Sequence, residues 1–202
     1  MRRRGSGPAP GPAAGYRVAT IDPGNQGAPD PGRRAAALKG VRLRPCRPED
    51  GDFLYRLYAS TRPDIQAILD WDDAEKETFL RRQFEAQRAA YAAARPNARC
   101  ETIERRGRPI GRLIVDRRDD EIHLVDIALL PGARGRGIGG ALIVELCREG
   151  ARDGRPVRLR VERRNPALGL YRRLGFVEIG DDNVVYALME WTPRRAAAPE
   201  LN

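Results

Sequence analysis

The sequence predicts an α/β fold: a mixed, largely antiparallel, twisted sheet of about seven strands with helices on both faces. Three observations carry this expectation. Strand-like and helix-like segments follow one another in the order β-α-α-β-β-β-α-β-α-β-β. One strand runs through a glycine- and arginine-rich loop straight into an amphipathic helix. The pattern occupies residues 40–193, one domain's length of chain, between a tail at residues 1–39 and a short one at 194–202.

The elements are justified in chain order. Residues 1–39 are rich in Gly, Pro, Ala and Arg without apolar periodicity, so they are expected to be disordered. Val41-Arg42-Leu43-Arg44 alternates as a half-buried strand does, and Arg47-Pro48-Glu49-Asp50-Gly51 makes a turn and a helix start. Phe53, Leu54, Leu57 and Tyr58 have helical spacing. A second helix is expected over about Asp73 to Ala94, with Phe79, Leu80, Phe84 and Tyr91 on its apolar face. The acids Asp70, Asp72, Asp73 and Glu75 precede it, where negative charge favours a first helical turn.

Cys100–Glu104 and Ile110–Val115 read as a hairpin across Arg106-Gly107-Arg108-Pro109. A fourth strand covers Glu121 to Leu130, and the loop after Pro131 feeds a helix from Ile138 to about Arg152. Val157–Val161 is a strand, Pro166–Leu174 a short helix ended by Gly175, and Phe176–Ile179 and Val184–Trp191 the closing strands.

Composition narrows the class. No stretch approaches the roughly 20 apolar residues of a membrane span, and the N-terminus lacks the apolar run of a secretory signal, so a cytoplasmic protein without membrane association is expected. The net charge of +9 sits mostly in the tails, because residues 1–40 hold six arginines and one lysine against two aspartates. Such a tail binds phosphates weakly and without sequence preference, and nothing base-reading is visible, so no specific nucleic acid is expected. Cys46, Cys100 and Cys147 are odd in number and widely spaced, which indicates neither a zinc site nor a disulfide framework. The single histidine, His123, rules out a multi-histidine metal site.

The most informative segment is Arg134-Gly135-Arg136-Gly137-Ile138-Gly139-Gly140. Glycines let backbone approach a ligand closely, and the free N–H groups of a helix start favour a phosphate. Two motifs overlap here. Gly135, Gly137 and Gly140 satisfy the dinucleotide-binding GxGxxG, with Glu162 as the acidic ribose ligand. Against it, the loop before the first glycine is long, the preceding strand is at least the fourth, and too little chain follows for a doubly wound sheet. The alternative is Arg-x-x-Gly-x-Gly, met by Arg134, Gly137 and Gly139. Asn165-Pro166-Ala167-Leu168-Gly169-Leu170-Tyr171-Arg172-Arg173-Leu174-Gly175-Phe176 adds an Asn…Leu-Tyr…Gly-Phe signature after the next strand. On these residues the chain resembles the GNAT (GCN5-related N-acetyltransferase) superfamily over about residues 41–192.

That resemblance implies acetyl transfer from acetyl-CoA, a co-substrate, to a primary amine on a small molecule or peptide, with no metal. It implies a pyrophosphate site at Arg134, Gly135, Arg136, Gly137, Ile138, Gly139 and Gly140. Pantetheine contacts would come from the backbone of Ile127, Ala128 and Leu129, with Asn165 close by. Tyr171 would protonate the departing sulfur, as a phenol with a pKa near ~10 can at neutral pH. The base is open among Glu121, His123 and Asp126; Asp126 interrupts an apolar run and needs a partner, for instance an arginine on a neighbouring strand. Tyr55, Tyr58, Trp71, Gln83, Gln87 and Tyr91 are polar-edged groups suited to an acceptor pocket. Two other functions stand beside this one: an acyl-CoA-binding module without turnover, and nucleic-acid binding through the basic tail. A homodimer is compatible with either enzyme or module.

Overall fold

A computed structural model describes residues 30–67, 70–180 and 184–193. The elements are α1 (Pro31–Leu38), β1 (Val41–Pro45), α2 (Gly51–Ala59), α3 (Pro63–Gln66), α4 (Asp73–Ala94), β2 (Arg99–Arg105), β3 (Arg108–Arg117), β4 (Ile122–Leu129), α5 (Ile138–Asp153), β5 (Val157–Glu162), α6 (Leu168–Arg173), β6 (Val177–Glu178) and β7 (Tyr186–Trp191). The strands form one sheet in the order β1-β2-β3-β4-β5-β7-β6. Every pairing is antiparallel except β4 with β5. The mixed, seven-stranded α/β sheet is thus as the sequence predicts, and the doubly wound alternative is excluded.

Strand alternation divides the core between the two faces. Leu113, Val115, Ile127 and Leu129 join α5 and α6 in the main cluster through Ile138, Leu142, Leu170 and Tyr171. On the other face Ala128 packs with Phe53, Leu57, Leu80 and Phe84 of α2 and α4, while Ile114 and Val125 pack with Tyr91. The acids ahead of α4 do what their position suggests. Asp72 accepts from the Glu75 N–H (2.8 Å), and Glu75 accepts from the Asp72 N–H (2.9 Å), a reciprocal cap.

Three expectations are corrected. The tail does not run to residue 39: Pro31–Leu38 is helical, Leu38 packs on the main cluster, and Arg34 pairs with Glu145 of α5 at 3.1 Å. This helix is too short to show periodicity, and tertiary packing holds it. The rest of the expected tails, residues 1–29 and 194–202, lies outside the described residues. A four-residue helix, α3, stands in the α2–α4 connection where no element is expected.

Finally, Cys46 and Cys100 are joined by a disulfide, their Cα atoms 5.5 Å apart. The Cys46 N–H donates to the Cys100 carbonyl (2.9 Å), so the two extend the β1–β2 ladder as direct neighbours. Their sequence separation of 54 hides this from any local motif. Closing a loop of that length limits the unfolded chain by about 4 kcal/mol in the chain-entropy treatment.

Candidate active site

The site begins with a break in the sheet. β4 pairs with β5 only at Ile122↔Val157, His123↔Arg158 and Leu124↔Leu159. The ladder then stops, although all eight β4 residues are buried. On the β3 side the register jumps at the same point: Val115 faces Leu124 while Ile114 faces Asp126, leaving Val125 as an extra residue. Such a bulge bends its strand. β4 and β5 therefore part from Val125 onward.

The polar backbone on the open side can be assigned. Leu130 N–H donates to the Ile110 carbonyl (2.8 Å), and the Ala128 carbonyl lies on the β3 side, where a Cβ on Gly111 would come within 2.3 Å of it. Only glycine fits at 111. Alternation then turns the N–H and C=O groups of Ile127 and Leu129 away from β3, into the gap. Their side chains are fully buried core. The expectation for Ile127, Ala128 and Leu129 thus has a geometric basis, with Ala128 as the spacer.

The glycine-rich loop closes the same end. Gly135 and Gly137 take φ of 69° and 75°, the left-handed region that suits glycine. Gly137 is the N-cap of α5, which has no side-chain cap and no acid in its first turn. The first helical bond there is Ala141 N–H to the Gly137 carbonyl (2.9 Å). The N–H groups of Ile138, Gly139 and Gly140 therefore precede the helical ladder. A Cβ on Gly140 would meet Leu170 at 3.5 Å, an ordinary contact, so the packing of α5 on α6 does not itself require glycine there.

The two loop arginines differ. Arg136 is exposed. Arg134 turns inward: its Nε donates to the Leu129 carbonyl (2.8 Å), and its Nη2 to the carbonyl and hydroxyl of Ser60 (both 3.2 Å). Arg134 therefore braces the loop against β4 and the end of α2. Asn165 is similarly engaged, its Oδ1 accepting from the Ala167 N–H (2.9 Å) where α6 begins.

Tyr171 is fully buried on α6, edge-on to Phe176 at 5.8 Å between ring centroids. Its hydroxyl makes no hydrogen bond among the described residues. Leaving a buried hydroxyl without a partner costs roughly 1–3 kcal/mol. Burial, and then the nearby Asp126 charge, push its pKa far above the ordinary phenol value. It stays protonated.

Neither Asp126 nor His123 is placed as a base. Asp126 accepts from Arg112 Nε (2.9 Å) and Nη2 (2.6 Å), and Arg112 Nη2 also reaches Gln87 (3.3 Å). Arg112 is itself buried; burial opposes its charge, and Asp126 more than offsets this, raising its pKa. The arginine on a neighbouring strand is thus Arg112 of β3, and the carboxylate is tied up.

His123 lies on the paired half of β4, three residues from Asp126 and so roughly 10 Å along the strand. Its Nδ1 lies 3.2 Å from Arg95 Nη2, a donor only, so Nδ1 accepts and the proton sits on Nε2. In that tautomer the lone pair of Nδ1, the basic nitrogen, is engaged by Arg95. Burial and the Arg95 charge hold the imidazole neutral, its pKa lowered to about 4. Glu121 accepts from Arg95 (3.3 Å) and Arg158 (3.0 Å), which together with His123 keep its pKa low against the opposing effect of burial.

The acceptor-side groups are mostly spoken for. Tyr55 donates to Glu77, the Tyr58 hydroxyl accepts from Arg62 (3.0 Å), and Gln87 takes Arg112. Tyr91 is buried against Ile114 and Val125, and Gln83 is half-buried on α4. Trp71 packs edge-on to Phe79 (5.1 Å) beside an open groove of about 460 Å³ at the start of α4. The sequence reading missed Arg112, Ser60 and Arg95. Arg112 had a signal, since it breaks the apolar run Ile110–Val115 as Asp126 breaks its own; Ser60 and Arg95 had none.

A mixed sheet whose one parallel pair parts midway, with a glycine-rich loop opening a helix beside the gap, is the fold of the GNAT acetyltransferases. Residues 96–178 match the family model for the acetyltransferase (GNAT) domain. Among solved structures, the PaiA N-acetyltransferase of Thermoplasma acidophilum in complex with coenzyme A superimposes with a TM-score of 0.57 at 18% identity, covering 75% of this chain and 98% of that one. An acetyltransferase of Thermus thermophilus gives 0.53 at 20% identity, covering 75% and 96%. The spermidine N-acetyltransferase of Vibrio cholerae in complex with CoA and spermine gives 0.53 at 18% identity, covering 76% and 96%. No curated protein matches in sequence. Among the described residues, no helix is long and apolar enough to cross a membrane.

Proposed function

We propose that the protein transfers the acetyl group of acetyl-CoA directly to a primary amine, at the open end of β4. One juxtaposition carries the proposal: the gap-facing backbone of Ile127 and Leu129 adjoins the loop that leads to the uncapped start of α5, and Tyr171, whose hydroxyl has no hydrogen bond among the described residues, lies near Asp126 of the same strand. Acetyl-CoA supplies an acyl group already activated as a thioester. The N–H groups of residues 135–140 hold its pyrophosphate, aided by the exposed Arg136. The backbone of Ile127 and Leu129 pairs with the pantetheine arm and presents an N–H to the carbonyl oxygen as charge develops there. Tyr171 donates its proton toward the departing sulfur. We assign no side chain as base, because Asp126 and His123 are committed to arginines; the amine loses its proton to water in the gap.

The amine acceptor is supported by the family match and by the spermine-bound Vibrio cholerae neighbour. The catalytic domain spans residues 40–193, with α1 packed onto it. The test is release of the free CoA thiol from acetyl-CoA, followed with a thiol dye, against a panel of primary amines that includes spermine and a lysine peptide. Amine-dependent release is expected. Binding of acetyl-CoA with no release for any amine would leave a binding module instead.

A further inference from the structure

The Cys46–Cys100 disulfide stands at the base of everything on one face of the sheet. The chain between the two cysteines carries α2, α3 and α4. In that layer α2 buries five of its nine residues, whereas the 22-residue α4 buries four, Leu80, Phe84, Gln87 and Tyr91. Its two apolar clusters are separate from the main core, with Cys46 packed against one and Cys100 against the other.

The bridge also touches the anchor of α2. Thr102 Oγ1 lies 3.6 Å from Cys46 Sγ and 3.2 Å from Asp50 Oδ2. Asp50 is gripped by both Nη atoms of Arg44 (2.7 Å each) and accepts from the Arg47 N–H (2.8 Å) at the entry to α2. At its other end α2 leads to Ser60, which receives Arg134 from the phosphate loop. Both cysteines are only half-buried, within reach of a small thiol. Cys147 is buried, which pushes its thiol up to about 12, so it does not compete in exchange.

We propose that Cys46–Cys100 is a thiol–disulfide exchange site through which a dithiol reductant loosens the α2–α4 layer and so weakens acceptor binding. A thiolate of the dithiol attacks one cysteine sulfur and the Cys46–Cys100 bond breaks. The second thiolate resolves the mixed disulfide. Two electrons and two protons pass to Cys46 and Cys100, and the reductant leaves as its own disulfide. With the bridge open, the base of the helical layer loses its covalent tie and is held by the β1–β2 ladder, the backbone bond from Cys46 to Cys100 and the Asp50 contacts. The consequence for acceptor binding rests on the function proposed above; the loosening does not.

The experiment compares air-oxidised protein with protein treated with dithiothreitol. Iodoacetamide labelling read by mass spectrometry is expected to add nothing at Cys46 and Cys100 before reduction and to label both after it. Amide exchange in α2 and α4 is expected to quicken about tenfold on reduction while α5 is unchanged, and oxidised glutathione to reverse both effects. The acceptor KM should rise about threefold. Labelling of both cysteines before reduction, or identical exchange of α2–α4 in the two states, would overturn the proposal. The Cys46→Ser, Cys100→Ser protein should show the fast exchange with or without reductant; if it does not fold, the wild-type comparison decides alone. Faster exchange in a protein that never releases CoA thiol would support the switch and reject the acyltransfer reading.

Discussion

The two halves of β4 have the same burial and opposite chemistry. From Ile122 to Leu124 the strand is paired on both sides and surrounded by ions that answer one another: Arg95 with Asp116 (3.2 Å) and Glu121 (3.3 Å), Arg158 with Glu121 (3.0 Å) and Glu190 (2.6 Å). From Val125 to Leu129, among the described residues, one edge has no strand and a phenol on α6 makes no hydrogen bond, while Gly111 leaves room where any side chain would clash. The first half is held by its own ion pairs, although Asp116 Oδ1 is buried there without a hydrogen bond among the described residues. The second presents an unpaired strand edge, and such departures from regular packing are where function is expected to concentrate.

The largest expected effect breaks the open half outright. Gly137→Glu puts a negative side chain at a left-handed position in the phosphate loop, and acetyl-CoA affinity should fall about 100-fold or more by calorimetry. A smaller loss would move the phosphate away from α5.

Next comes the boundary between the halves. Arg112→Met strands the buried Asp126 carboxylate and should cost about 3–5 kcal/mol in urea unfolding, most of it recovered when Asp126→Leu is added. A base at Asp126 would instead show as a turnover defect that the double variant cannot recover in stability terms.

Tyr171→Phe separates stability from function. Turnover should drop about 100-fold, while the protein holds its stability or gains up to about 1 kcal/mol by losing an unsatisfied hydroxyl. A loss of stability with turnover intact would make Tyr171 an ordinary core residue.

The smallest effect belongs to the closed half. His123 has a folded pKa near 4, below its unfolded value near 6.5, so the unfolded chain takes up the proton first. Its contribution is complete above pH 6.5 and is lost progressively as pH falls toward 4. His123→Gln should flatten that part of the stability profile and leave turnover nearly unchanged.

The sequence makes the open half more legible than the closed one. Gly135 and Gly137 stand in a loop whose glycines and place before a helix suit a phosphate, whereas Tyr171 is singled out by the resemblance to the GNAT family. Helix α4 is read to its ends because Asp72 and Glu75 cap it. The bulge at Val125 has no such signature, since Leu124-Val125-Asp126 would suit an unbroken strand equally well. The fate of His123 was decided by Arg95, 28 positions earlier, and that of Cys46 by a cysteine 54 positions later. Those partners meet only through the finished sheet.

Residue-resolved amide exchange with and without acetyl-CoA tests the contrast within β4 most directly. Acetyl-CoA should slow exchange at the Ile127 and Leu129 amides, which face the gap, and leave Ile122, His123 and Leu124 as they were. Binding that protects neither Ile127 nor Leu129 would contradict the assignment of the open half as the acetyl-CoA site.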